Sequence, residues 1–143
     1  MENEYKQLNR FTGHWKTKGL IQDSSGSPGV EVNGTDMYEW LAGGFFLKHT
    51  VDVMIGDERN QTLEIIGYDK AARHYTMHYF NNSGETGFMK AINTDEFWVF
   101  TGDQLRFNGG FSENDTVFSG TWEKCNEEGH WMPFMNIVLR REI

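Results

Sequence analysis

Cysteine is almost missing from this chain of 143 residues: Cys125 stands alone, so no internal disulfide can brace the fold. Proline is nearly as scarce, at 2 residues. No apolar run approaches the roughly 20 residues of a membrane-spanning helix. Met1 to Gly13 lacks the basic-then-apolar order of a signal peptide, and with a lone cysteine this makes the expected location cytoplasmic. Cations are the minority charge, 13 Lys and Arg against 21 Asp and Glu, for a formal net charge of -8. No Lys or Arg cluster interrupts that balance, so neither nucleic acid nor an acidic membrane surface is expected as a partner. Asn33, Asn60, Asn81 and Asn114 each open an Asn-x-Ser/Thr triplet. Without a secretory signal these triplets read as turn chemistry and not as glycosylation sites.

What the chain has in quantity is aromatic surface: 11 Phe, 5 Trp and 5 Tyr. Side chains of this size bury enough area to hold a core without disulfides or a structural metal, and the length suits one domain over residues 1–143. Only Asn3 to Phe11 reads as helical, with Tyr5, Leu8 and Phe11 recurring every third residue. From Gly13 onward, short runs of Val, Ile, Thr, Tyr, Phe and Trp alternate with clusters of Gly, Asn, Asp and Ser. They divide into about ten strands: Gly13–Gln22, Val30–Leu41, Phe45–Ile55, Gln61–Tyr68, His74–Phe80, Thr86–Ile92, Glu96–Thr101, Gln104–Phe111, Thr116–Lys124 and Trp131–Arg141. The connecting turns, such as Ser24–Gly29 and Asn81–Gly84, are short enough to make successive strands antiparallel neighbours. So many strands in so short a chain leave a sandwich or a closed barrel. Closure removes both exposed edges, so the expected fold is all-β, a closed antiparallel up-and-down barrel with a short N-terminal helix and an acidic outer wall.

Period-two alternation then assigns faces. Phe45, Leu47, His49, Val51, Val53 and Ile55 share one face of their strand, which places His49 among apolar inward residues. In the last strand Trp131, Met135, Ile137, Leu139 and Arg141 fall together. The register of Val30–Leu41 stays open, because Gly43-Gly44 just beyond it can carry a bulge that flips the parity.

Two segments echo one another, Phe11-Thr-Gly-His-Trp15 and Phe118-Ser-Gly-Thr-Trp122. The first sits where the N-terminal turn feeds the first strand, and there it resembles the Gly-x-Trp signature of lipocalins and related calycin barrels. That resemblance implies that Trp15, after Gly13, closes one end of the barrel under a basic residue of the last strand. Of Arg140 and Arg141, parity favours Arg141. Leu41-Ala-Gly-Gly-Phe-Phe-Leu47, Ile65-Ile-Gly-Tyr-Asp69, Phe118-Ser-Gly-Thr-Trp-Glu123 and Gly129-His-Trp-Met-Pro133 extend the likeness. Together they resemble a small bacterial family of calycin-like barrels of unassigned function. More distantly the chain is similar to the nitrobindins, barrels that bind haem through a His close to the final strand. Here Phe134 to Ile143 contains no His, which leaves His130 and His49 as the nearest candidates for an axial ligand.

Other chemistry is thinly represented. His74 and His78 would face one zinc ion on a helix, but their aromatic, Thr-containing segment reads as a strand, where four residues span roughly 13 Å. No calcium loop, His-Glu-x-x-His, nucleophile elbow or phosphate loop is present, so no metal and no catalytic residue is assigned. Glu39 beside His49 is the one acid–base pairing to consider, should both face the interior. Seven Met, an unbranched and adaptable residue, suit an interior that accommodates a ligand and equally one plugged with large side chains. The expected function is therefore binding of a small, largely apolar molecule without catalysis. The candidate wall is Met37, His49, Val51, Tyr68, Tyr75, Met77, Trp98 and Trp131, with His49 orienting the ligand. Haem binding, an enzyme of unknown reaction, and a ligand-free interaction module or homodimer are the alternatives.

Overall fold

The computed structural model describes residues 2–22 and 28–143; the turn expected at Ser24–Gly29 lies largely outside them. One short helix, α1 (Asn3–Asn9), precedes ten strands. These are β1 (Gly13–Ile21), β2 (Val30–Trp40), β3 (Leu47–Ile55), β4 (Glu58–Asp69), β5 (His74–Asn81), β6 (Thr86–Thr94), β7 (Phe97–Gly102), β8 (Leu105–Ser112), β9 (Val117–Cys125) and β10 (Trp131–Arg141). Each pairs antiparallel with its neighbours in sequence, and β1 pairs with β10 to close the barrel. The fold expected from strand count and turn spacing is the one observed.

A helix of seven residues is marginal by itself, and tertiary contacts hold this one across one end of the barrel. Tyr5, Leu8 and Phe11 are buried, as their three-residue spacing predicts. Phe11 reaches furthest inward and lies against Tyr38, Trp98, Phe111 and Phe118, with ring centroids 4.8 to 5.2 Å apart. Tyr75 Oη donates to Glu4 O at 2.8 Å, and Trp40 Nε1 donates to Asn9 Oδ1 at 2.8 Å. Arg10 grips Asp115 through two hydrogen bonds and Glu96 through a third, tying the helix to the loops that flank β7 and β9.

Behind that lid lies the Gly13, Trp15 and Arg141 arrangement. Trp15 is fully buried and donates from Nε1 to Phe11 O at 2.8 Å. The Arg141 guanidinium sits 4.1 Å from the Trp15 ring centroid and donates to the carbonyls of Arg10, Thr12 and Asp115. Arg141 and not Arg140 makes this contact, in line with strand parity. A side chain on Gly13, whose φ is +122°, would also run into Arg141.

The barrel is filled unevenly. Phe100, Phe107, Phe111, Phe118 and Trp122 from β7, β8 and β9 pack ring against ring. Phe107 covers the facing pair Gly109 and Gly120, and a Cβ on Gly120 would come within 2.5 Å of its ring. On the β2 to β6 side the interior is open.

Three sequence expectations need correction. In β2 the inward residues are Val32, Asp36 and Tyr38, so Met37 and Glu39 point outward, and Glu39 meets Lys48 at 3.6 Å instead of His49. In β10 the register slips by one between Pro133 and Met135, so Trp131 is out of phase with the inward Met135, Ile137 and Leu139. Trp131 instead lies under the Arg106 guanidinium, 4.4 Å from it, on the outer face. The outer wall is also less uniform than composition implies. Pairing of β1 with β10 sets Lys16 opposite Arg140, with Lys18 two residues along, gathering cations that the sequence scatters. An apolar strip of Leu63, Phe80, Phe88 and Ile92 crosses the outside of β4, β5 and β6, with His78 stacked on Phe88 at 4.0 Å.

The two arginines give a direct test. Arg141→Ala removes charge-assisted hydrogen bonds to three carbonyls and a cation–π contact, and is expected to cost about 3 kcal/mol in urea unfolding. Arg140→Ala, exposed and 3.7 Å from Glu113, is expected to change stability by less than about 0.5 kcal/mol. Equal sensitivity at both positions would refute the assigned closure.

Candidate functional site

The open half of the barrel holds a cavity of about 390 Å³. Its walls come from β2 to β9, and Leu8 and Phe11 floor it at the helix end. Toward the opposite end it is bordered by Thr62, Asn81, Glu85 and Leu105, near the hairpin ends of β4, β5, β6 and β8. The volume lies in the range of small-molecule sites, roughly 300–1,000 Å³.

Of the wall residues expected from sequence, His49, Val51, Tyr75, Met77 and Trp98 line this space. Tyr68 faces inward on β4 but packs on Tyr75 near the closed end, with ring centroids 4.9 Å apart, outside the cavity. Met37 and Trp131 lie on the outer face, for the reasons of register given above. Sequence reasoning passed over Tyr38, Glu64, Ile66, Tyr79, Met89, Phe100 and Trp122. Met89 stands opposite Met77 across β5 and β6, so two methionines form one flexible patch of wall.

The polar content is concentrated at His49. Cross-strand register places Tyr38 on one side of it and Glu64 on the other. The Tyr38 ring stacks on the imidazole at 3.9 Å and 8°. His49 Nδ1 bonds Glu64 Oε1 at 2.9 Å, and Nε2 bonds Asp36 Oδ2 at 2.6 Å from the diagonal position on β2. Thr17 Oγ1 donates to the other Asp36 oxygen. Asp36, His49 and Glu64 are 6%, 9% and 7% exposed, so these charges share a largely dry interior.

Burial by itself would push the His49 pKa down. Hydrogen bonds to Asp36 and Glu64, and the charges of both, outweigh it and raise the pKa from 6.5 to about 9. His49 at neutral pH is thus an imidazolium that donates from both nitrogens. Burial, followed by the charges of Asp36 and Glu64, likewise raises the Tyr38 phenol well above its ordinary pKa. The histidine has no lone pair to offer as a base or a metal ligand. Among the described residues no three His, Cys, Asp or Glu side chains are placed to hold a metal ion. The atoms of this cluster face one another instead.

Signals for Asp36 and Glu64 exist in the sequence only in hindsight of register. Glu64 alternates with Thr62, Ile66 and Tyr68 on β4, and Asp36 with Tyr38 on β2, but an in-phase carboxylate reads as solvated until a buried partner is placed beside it.

Residues 1–104 match the DUF1579 family, described as a protein of unknown function, and the chain belongs to that family. Its barrel is similar to the crystal structure of Rv2717c from M. tuberculosis, with TM-score 0.67 and 10% identity over 100% of this chain and 99% of that one. It is also similar to a de novo designed fluorescence-activating β-barrel, with TM-score 0.52 and 12% identity over 99% of this chain and 100% of that one. At these identities the likeness is one of fold. No curated protein matches the sequence. No helix among the described residues is long and apolar enough to cross a membrane.

The raised pKa of His49 has a signed consequence. Its contribution to stability is fully present below the ordinary value of 6.5 and is lost as pH rises through about 9. Unfolding free energy is expected to fall by about 3 kcal/mol across that window in chemical denaturation at stepped pH. His49→Gln should flatten this slope and, by leaving two carboxylates without their cation, lower stability at pH 7 by about 3–5 kcal/mol. A wild-type profile that stays level between pH 6.5 and about 9 would contradict the assignment.

Proposed function

We propose that the protein is a non-catalytic binder of a small, largely apolar molecule held inside the barrel. The observation that carries this reading is the cavity itself, about 390 Å³ with Ile66, Met77, Met89, Phe100 and Trp122 in its wall, Glu64 on His49 set into it, and Thr62, Asn81 and Glu85 toward its rim. A core packed only for stability fills such space, because empty volume lined by large side chains forfeits their contacts. Here the β7 to β9 half is filled while the β2 to β6 half is not. The Trp15–Arg141 closure supports placing the barrel among the calycin-like containers suggested by the Gly-x-Trp motif.

Enzymatic acid–base work is poorly supported. A general base needs a free lone pair near the reacting proton, and His49 spends both nitrogens on carboxylates. Haem also fits badly. His49 is engaged in the same way, His130 is exposed near Glu128, His74 and His78 are on outward positions of β5, and His14 is exposed on β1. Of the chain's 5 His, none offers an unengaged nitrogen to an iron in the cavity.

The neutral solvatochromic dye N-phenyl-1-naphthylamine provides the test. Its fluorescence is expected to rise on adding the wild-type protein. Met77→Trp, which fills the cavity from its wall, should abolish the rise. Met37→Trp, on the outer face, should leave it unchanged. A wild-type protein that does not bind the dye, or dye binding that survives Met77→Trp, would overturn the reading.

A further inference from the structure

We propose that the molecule this cavity accepts carries a single protonated nitrogen, and that Glu64 is its counter-ion: the ligand class is a small alkylamine or arylalkylamine. The inference rests on the binding reading above and names the chemistry of the same site.

Charge on the wall points first in this direction. The ionisable side chains with acidic or basic groups that line the cavity are His49, Glu64 and Glu85, with no Lys or Arg among them. Glu64 faces His49, Glu85 stands exposed at the rim, and Asp36 behind His49 adds a further negative charge. An incoming carboxylate, such as that of a fatty acid, finds no cation free to receive it, because His49 is already committed on both sides. It would also meet like charge in a poorly screened interior.

The second observation concerns Glu64 alone. Only its Oε1 is engaged, by His49 Nδ1 at 2.9 Å, and no hydrogen bond from a described residue reaches Oε2. The residue is 7% exposed and lines the cavity. Oε2 is open to the cavity and not sealed in the wall, so it can take a donor from a ligand, and a donor with positive charge gives the strongest hydrogen bond. An ammonium group there would balance the charge excess and supply the missing donor together.

The rest of the wall limits the number of charges on the ligand. Beyond Glu64 the surface passes to Ile66, Met77, Met89 and Phe100, which favour a hydrocarbon body, so a polyamine is poorly suited. Among the described residues the one buried side-chain polar atom without a partner, Trp98 Nε1, is a neutral donor beside Phe11 and Tyr75 near the closed end, which places the cation at Glu64 and not there. Glu85 near the open end, on a chain of net charge -8, would favour approach of a cation.

Displacement of bound N-phenyl-1-naphthylamine by octylamine, octanol and octanoate at pH 7 and low salt compares one tail with three head groups. Octylamine is expected to compete about 10-fold better than octanol, the worth of one charge-assisted hydrogen bond, with octanoate weakest. Glu64→Gln should bring octylamine to within about 2-fold of octanol, both measured on that variant. Octanoate competing as well as octylamine would overturn the proposal, as would an amine preference that survives Glu64→Gln. Dye binding with the wrong head-group order defeats this inference alone, whereas failure of the dye to bind defeats the binding reading as well. Glu64 also braces His49, so the ranking on the wild-type protein decides the matter if the variant does not fold.

Discussion

Inside this barrel, one histidine is held between two carboxylates, and the arrangement of β1 through β4 depends on it. Thr17 on β1 bonds Asp36 on β2, Asp36 bonds His49 on β3, and His49 bonds Glu64 on β4. Four consecutive strands are thereby stitched on their inner face by polar contacts, where the opposite half of the barrel uses stacked aromatic rings. Such a chain is costly to bury and is stable only when complete, because any missing partner leaves a charge in a low-dielectric interior. It also fixes register: a slip of one residue in β3 would turn His49 outward and strand both acids.

The two halves of the barrel follow from this division. Aromatic rings on β7 to β9 pack against one another on their side, and the lid of α1 adds Phe11 to the same cluster. The polar chain on the other side stands on short side chains close to the wall, and the space beyond it stays open. The cavity is thus off-centre and apolar over most of its surface, with polar groups at the His49–Glu64 pair and at the rim. The Trp15–Arg141 contact lies at the helix end, and Asn81 and Glu85 border the cavity toward the other.

Much of this was legible in the sequence, for physical reasons that can be named. Strand alternation is a property of the backbone, so His49 and Val51 could be assigned to the interior from period two, and Tyr75, Met77 and Trp98, named as wall candidates, line the cavity with them. The choice of Arg141 over Arg140 followed in the same way. Alternation fails where a strand is irregular: the slip at Pro133–Met135 reversed the face of Trp131, and the undetermined phase of β2 misplaced Met37. Asp36 and Glu64 were missed for a different reason. Their type predicts solvent, and only pairing across β2, β3 and β4 shows that each has a buried cation to justify its position. The head-group preference proposed for the cavity hangs on Glu64, so function was the least readable part of the chain.

The most direct measurement of the central claim is the protonation state of His49 itself, followed by long-range proton–nitrogen correlation NMR of the imidazole ring across a pH titration. Both ring nitrogens should appear protonated at pH 7, with the transition to the neutral ring centred near the value of about 9 set by its two carboxylate partners. A neutral tautomer at pH 7, with one bare nitrogen, would contradict the ion cluster and with it the charge pattern assigned to the cavity.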